Sequence, residues 1–66
     1  MRAPKKKPRV KLVGEDGNAF FIMARVREAL RKAGADKEYI DKYTDEATSG
    51  DYGNLLRVTM EYVEGR

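Results

Sequence analysis

The chain has 66 residues, enough for one domain at most. It contains no cysteine and no histidine, which excludes disulfides and any Cys/His zinc centre. Its formal net charge of +3 conceals a division: residues 1–11 hold six cations and no acid, whereas residues 12–66 hold eight cations against eleven acids.

A domain this small buries only roughly 60 % of the surface its unfolded chain exposes. Its stability is therefore expected to be about 3–5 kcal/mol, supplied by helix packing, caps or self-association. The longest apolar run, from Ala19 to Ala24, falls far short of the roughly 18 residues a membrane span needs. The basic N-terminus is not followed by an apolar stretch with a cleavage site, as a secretory signal would be. Together with the lack of cysteine, which suits a reducing compartment, these features predict a cytoplasmic protein with no membrane contact.

In chain order, residues 1–8 read as a disordered basic tail, with Pro4 and Pro8 flanking a lysine run and no apolar period. Residues 9–66 read as a single small helical domain. In Arg9 to Val13 the apolar Val10 and Leu12 alternate with Arg9 and Lys11, the period of a half-buried strand or extended arm. Gly14 to Asn18 carries turn chemistry. From Asn18 two readings compete. Either Asn18 caps a helix from about Ala19 to Ala33, or Asp16-Gly17 turns the chain into a return strand over Phe20 to Met23. The unbroken series Ile22, Val26, Ala29, Leu30, Ala33 favours the helix, and Gly34 is placed to close it.

Asp36 is the N-cap of a second helix, to about Thr48, with Ile40, Tyr43 and Ala47 inward. Asp51 caps a third, to about Val63. On that helix Leu55, Leu56, Thr59, Met60 and Val63 form the main apolar stripe, and Val58 and Tyr62 a weaker second one. Leu12, Ile22, Val26 and Leu30 complete the expected core, of which Thr59 is the least apolar member. The predicted fold is thus mostly α: a short N-terminal β-strand or extended arm followed by a three-helix bundle. A lone strand leaves backbone groups unpaired on its edges. Pairing with the same strand of a second chain, as a homodimer, is one remedy, a hairpin another and a solvated arm a third.

The stretches Val10-Lys11-Leu12-Val13-Gly14-Glu15-Asp16-Gly17-Asn18-Ala19-Phe20, Arg31-Lys32-Ala33-Gly34 and Glu46-Ala47-Thr48-Ser49-Gly50-Asp51-Tyr52 resemble a family of small uncharacterised bacterial and phage proteins. The resemblance covers nearly the whole chain after the tail. It implies a prokaryotic cytoplasmic origin, and because that family has no established activity it implies no site residues.

The remaining chemistry is sparse. Without His or Cys, acid–base or nucleophilic work would fall to Asp, Glu, Lys, Ser or Tyr in a body with little room for a water-excluding pocket, so no enzyme, cofactor or metal is expected. Asp16, Asn18, Asp51 and Asn54 lack the spacing of a calcium loop and read as caps and turns. Gly14 to Gly17 matches a bare GXXG, but two central acids oppose a backbone clamp. A helix-turn-helix across Ser49-Gly50-Asp51 would offer only Arg57 as a basic groove contact, beside an acidic second helix. Tyr39, Tyr43, Tyr52 and Tyr62 read as core or rim residues.

Two functional expectations stand. The leading one is a small macromolecule-binding accessory module whose unidentified protein partner contacts apolar residues in excess of one stripe, namely Phe20, Phe21, Val58 and Tyr62. The other is a nucleic-acid-associated protein that neutralises phosphates with Lys5, Lys6, Lys7 and Arg9, extended by the basic patch of the first helix, where Arg27 and Arg31 lie four apart and Arg25 and Lys32, seven apart, flank Glu28.

Overall fold

The computed structural model describes residues 1–11 and 18–65. Their elements follow the order β1 (Arg9–Val10), α1 (Ala19–Lys32), α2 (Lys37–Ala47), α3 (Tyr52–Tyr62) and β2 (Glu64–Gly65). The chain is mostly helical, with a short strand ahead of the helices, as its pattern predicts.

Each helix begins where a side-chain oxygen takes up amides that have no partner within the helix. Asn18 Oδ1 accepts from the Phe20 and Phe21 N–H groups at 2.8 and 3.4 Å. Asp36 and Asp51 each accept from the amide three residues on, at 2.9 Å. Phe20 to Met23 are helical, so the return-strand alternative fails. α1 ends at Gly34, whose φ of +104° a side chain would strain. There Gly34 N–H reaches Arg31 C=O and Ala35 N–H reaches Leu30 C=O, the paired bonds of a Schellman close. The α2–α3 corner is tight at Gly50, where a Cβ would lie 2.9 Å from that of Asn54. Asn54 in turn donates to the Glu46 carbonyl at 3.0 Å and pins the start of α3 to the end of α2.

The core joins Ile22, Met23, Val26 and Leu30 of α1 to Tyr43 and Ala47 of α2 and Leu55, Val58, Thr59 and Tyr62 of α3. Its polar atoms are paired within it. Tyr43 and Thr59, both without exposed surface, share a 2.7 Å hydroxyl–hydroxyl bond. Tyr62 O–H donates to Glu46 Oε1 at 3.0 Å. The Tyr62 ring meets Tyr39 and Tyr43 edge-on, with centroids 5.4 and 5.2 Å apart, an arrangement the ring quadrupoles favour. Burial, and for Tyr62 also the Glu46 carboxylate, pushes both phenols up from their ordinary value.

Two expectations are corrected. The inward stripe of α3 is Leu55, Val58, Thr59 and Tyr62, so Leu56 and Met60 lie outside and Met60 is 51 % exposed. The helix is rotated toward the tyrosines because Tyr62 finds both ring partners and a hydroxyl acceptor on α2. Thr59, the least apolar member of the expected core, is fully buried as expected, because Tyr43 satisfies its hydroxyl. Leu12 and the Gly14–Gly17 turn lie outside the described residues.

The second correction concerns the N-terminal segment, which is drawn against the body. Arg2 N–H donates to Asp36 Oδ2 at 2.8 Å, and Asp36 N–H donates back to the Arg2 carbonyl at 3.0 Å. Pro8 C=O accepts from Glu64 N–H at 2.9 Å, and Arg9–Val10 pair parallel with Glu64–Gly65. Val10 is buried under this clasp. The radius of gyration, 10.8 Å, is what a compact chain of this length has, about 11 Å. One edge of the N-terminal strand is thus paired by its own C-terminus, which removes half of the argument for pairing with a second chain.

The Tyr39 N–H, followed by the Arg2 N–H and nearby positive charge, holds the Asp36 carboxyl below its ordinary value, against an opposing cost of desolvation. A carboxyl lowered by folding stabilises the native state above its unfolded value, near pH 4. That contribution fades as the pH falls through the lower folded value. Asp36→Ala is therefore expected to destabilise at neutral pH, with its deficit against the wild type shrinking below about pH 4. Paired urea titrations at neutral and acid pH read the difference, and a deficit that does not change with pH contradicts this role.

Candidate nucleic-acid interface

Charge is divided between the two halves of the chain. Residues 1–32 contain ten cations against three acids, and residues 33–66 contain four cations against eight acids. The described residues of the first group form the N-terminal segment, β1 and α1. In the second group α2 carries four acids against two cations, while α3 carries one of each.

A groove of about 470 Å³ runs between β1 and α1. Arg9 and Lys11 stand on the β1 wall, alternating with the buried Val10 as a strand requires. Arg25 and Lys32 stand on the α1 wall, seven residues apart and so about 10.5 Å along the helix. Phe21, 40 % exposed, lines the groove beside them, with the Arg25 guanidinium carbon 5.1 Å from its ring centroid. That distance suits a cation–π contact. Glu28 is the one acid on this lining. It is engaged by Arg31 at 2.6 Å and by Lys32 at 3.9 Å, while Arg9 sits 3.5 Å from Glu64. All these ion pairs are solvent-exposed and exchange readily for another anion.

Of the residues the sequence nominates for nucleic acid, Arg9 lines this groove. Lys5, Lys6 and Lys7 precede it in the chain, and Lys7 Nζ reaches the Met60 carbonyl at 3.5 Å. Arg27 and Arg31 lie on the neighbouring strip of α1, around a smaller depression of about 230 Å³ next to Ile40. Arg25 and Lys32, the other members of the basic patch on α1, complete the groove with Lys11, which the sequence does not nominate. The i, i+7 spacing of Arg25 and Lys32 was the available signal, but the wall opposite them depends on where β1 docks.

Of the residues nominated for protein contact, Phe20 is 79 % exposed and Phe21 borders the basic groove. Val58 and Tyr62 are corrected: at 3 % and 7 % exposure they belong to the core and present no docking surface. Phe20 instead rims an apolar groove of about 290 Å³ that it forms with Met23, Tyr52 and Leu55. Tyr52, Leu56 and Met60, at i, i+4 and i+8, are exposed along α3.

Among the described residues no group of three or more Asp or Glu gathers as metal ligands would, and no helix is long and apolar enough to cross a membrane. Comparison with protein-family models, with curated protein sequences and with solved structures yields no match.

Proposed function

We propose that the protein is a small non-enzymatic, cytoplasmic macromolecule-binding module whose β1–α1 face takes a nucleic acid. The observation that supports this reading is the meeting of Arg9 and Lys11 with Arg25 and Lys32 across one groove. Cations on both walls of a concave strip attract a phosphate backbone from two sides, and the counterions it releases drive binding. α2, with four acids against two cations, disfavours the same backbone on its own face. Lys5, Lys6 and Lys7 come two to four residues before Arg9 and add cations beside the groove, Lys7 on the side of Met60 and Glu64.

The test is a titration of labelled DNA at about 50 and about 200 mM salt. R25E/K32E is expected to weaken binding by about tenfold or more at the lower salt and to flatten the salt dependence. Replacing Lys5, Lys6 and Lys7 together by glutamine is expected to weaken it less. Absence of binding by the wild type even at the lower salt overturns the reading.

A second reading, a protein partner, is favoured by Phe20 at the rim of its apolar groove. A solvent-facing phenylalanine beside Tyr52 and Leu55 suits an apolar anchor from another chain. The two surfaces differ in chemistry, so Phe20→Ser leaves DNA binding unchanged if the groove residues act alone.

A further inference from the structure

An aromatic ring inside a cationic groove does something that cations alone do not. Phosphate neutralisation needs only positive charge, and an exposed phenylalanine loses hydration free energy for no gain there. Phe21 nonetheless keeps 40 % of its surface open on the α1 wall, with Arg25 against its ring and Lys11, Arg9 and Lys32 around the same concavity. The capping bonds of Asn18 to the Phe20 and Phe21 amides hold the first turn of α1 and thereby fix where this ring stands.

A duplex has no use for such a ring. Its bases are stacked inside and expose no face to an aromatic side chain unless one is extruded. Nor does the face offer what duplex readers use: α1 turns Phe21 and a half-buried Arg25 into a groove and does not stand out as a recognition ridge. A single strand fits both features. Its backbone runs between two cationic walls, and its unpaired bases have open π-faces to lay on the ring.

We propose that the β1–α1 groove binds single-stranded nucleic acid, with one base stacked on Phe21 and the flanking phosphates held by Arg9, Lys11, Arg25 and Lys32. This rests on the nucleic-acid reading above and narrows it to a strand class. Oligothymidine and oligouridine share the required chemistry, and both serve as probes.

The chain contains no tryptophan, so Phe21→Trp installs a single reporter at the stacking position. Its fluorescence is expected to be quenched as oligothymidine or oligouridine is added and to be unaffected by a blunt duplex of equal length. In anisotropy titrations the single strands are expected to bind about tenfold or more tighter than the duplex, with Phe21→Ala weakening them by about tenfold and Phe21→Tyr retaining affinity. About four phosphate contacts give a single-strand log–log salt slope near −3. Equal affinity for strand and duplex, with Phe21→Ala silent and the tryptophan unquenched, overturns this inference and leaves the nucleic-acid reading intact. Binding of neither probe at low salt overturns both. Phe21 is exposed and outside the core, so the variants stay folded, and circular dichroism verifies that.

Discussion

Tyr43→Ala is expected to leave the chain unfolded at room temperature. Tyr43 is the largest fully buried side chain, and removing a buried aromatic costs about 3–5 kcal/mol. The truncation also strands the Thr59 hydroxyl, which Tyr43 satisfies at 2.7 Å, and withdraws an edge-on partner from Tyr62. An orphaned buried hydroxyl adds about 1–3 kcal/mol. The whole domain is expected to hold only about 3–5 kcal/mol, so the loss equals or exceeds what is available. Tyr43→Phe separates the two contributions. It keeps the ring, loses the hydroxyl bond and costs about 1–2 kcal/mol, within what the fold tolerates. Far-UV circular dichroism with urea titration reads both variants. A cooperative native transition for Tyr43→Ala would show that the core does not converge on this residue.

Val10→Asp is expected to undock the N-terminal segment while the helices persist. Val10 is buried beneath the β1–β2 clasp, and its burial contributes about 1.5–3 kcal/mol. An ionised carboxylate cannot be buried there unpaired. The chain has a cheaper response, because β1 is only two residues long and can leave the body without breaking a helix. The cost is therefore limited to the docking free energy of the segment. The Glu64 amide, bonded to Pro8 C=O, should lose its protection from hydrogen exchange, while amides of α1 and α3 remain protected relative to it. Because Arg9 and Lys11 are one wall of the groove, strand affinity should fall in the same variant. Unchanged exchange at Glu64 would mean that the N-terminal segment is not held by this clasp.

Both cases bear on how far the chain reads from its sequence. Helix starts were legible because capping is local: Asn18, Asp36 and Asp51 each bond amides two or three residues away. Helix ends were legible for the same reason, and Gly34 closes α1 within a few residues of its last turn. The inward face of α3 was not. Leu55-Leu56-Thr59-Met60 and Leu55-Val58-Thr59-Tyr62 are both apolar at helical spacing, and hydrophobicity alone ranks Met60 and Leu56 above Thr59 and Tyr62. The choice depends on hydrogen-bond partners sixteen residues away, Tyr43 for Thr59 and Glu46 for Tyr62. The candidate site divides in the same way. That the N-terminal part of the chain is basic is plain from composition, but tail lysines and α1 arginines look like separate patches until β1 is docked.

Composition, periodicity and local caps by themselves determined that this is one small domain without cysteine or histidine chemistry, built from three helices behind a basic leader. They could do so because each depends on residue type or on contacts within a turn of the chain. Only the tertiary structure decided that the leader is clasped by Glu64–Gly65, that Val58 and Tyr62 fill the core in place of Leu56 and Met60, and that Arg9, Lys11, Phe21, Arg25 and Lys32 share one groove. Those outcomes depend on pairings between residues far apart in sequence, and no local pattern in either partner specifies them.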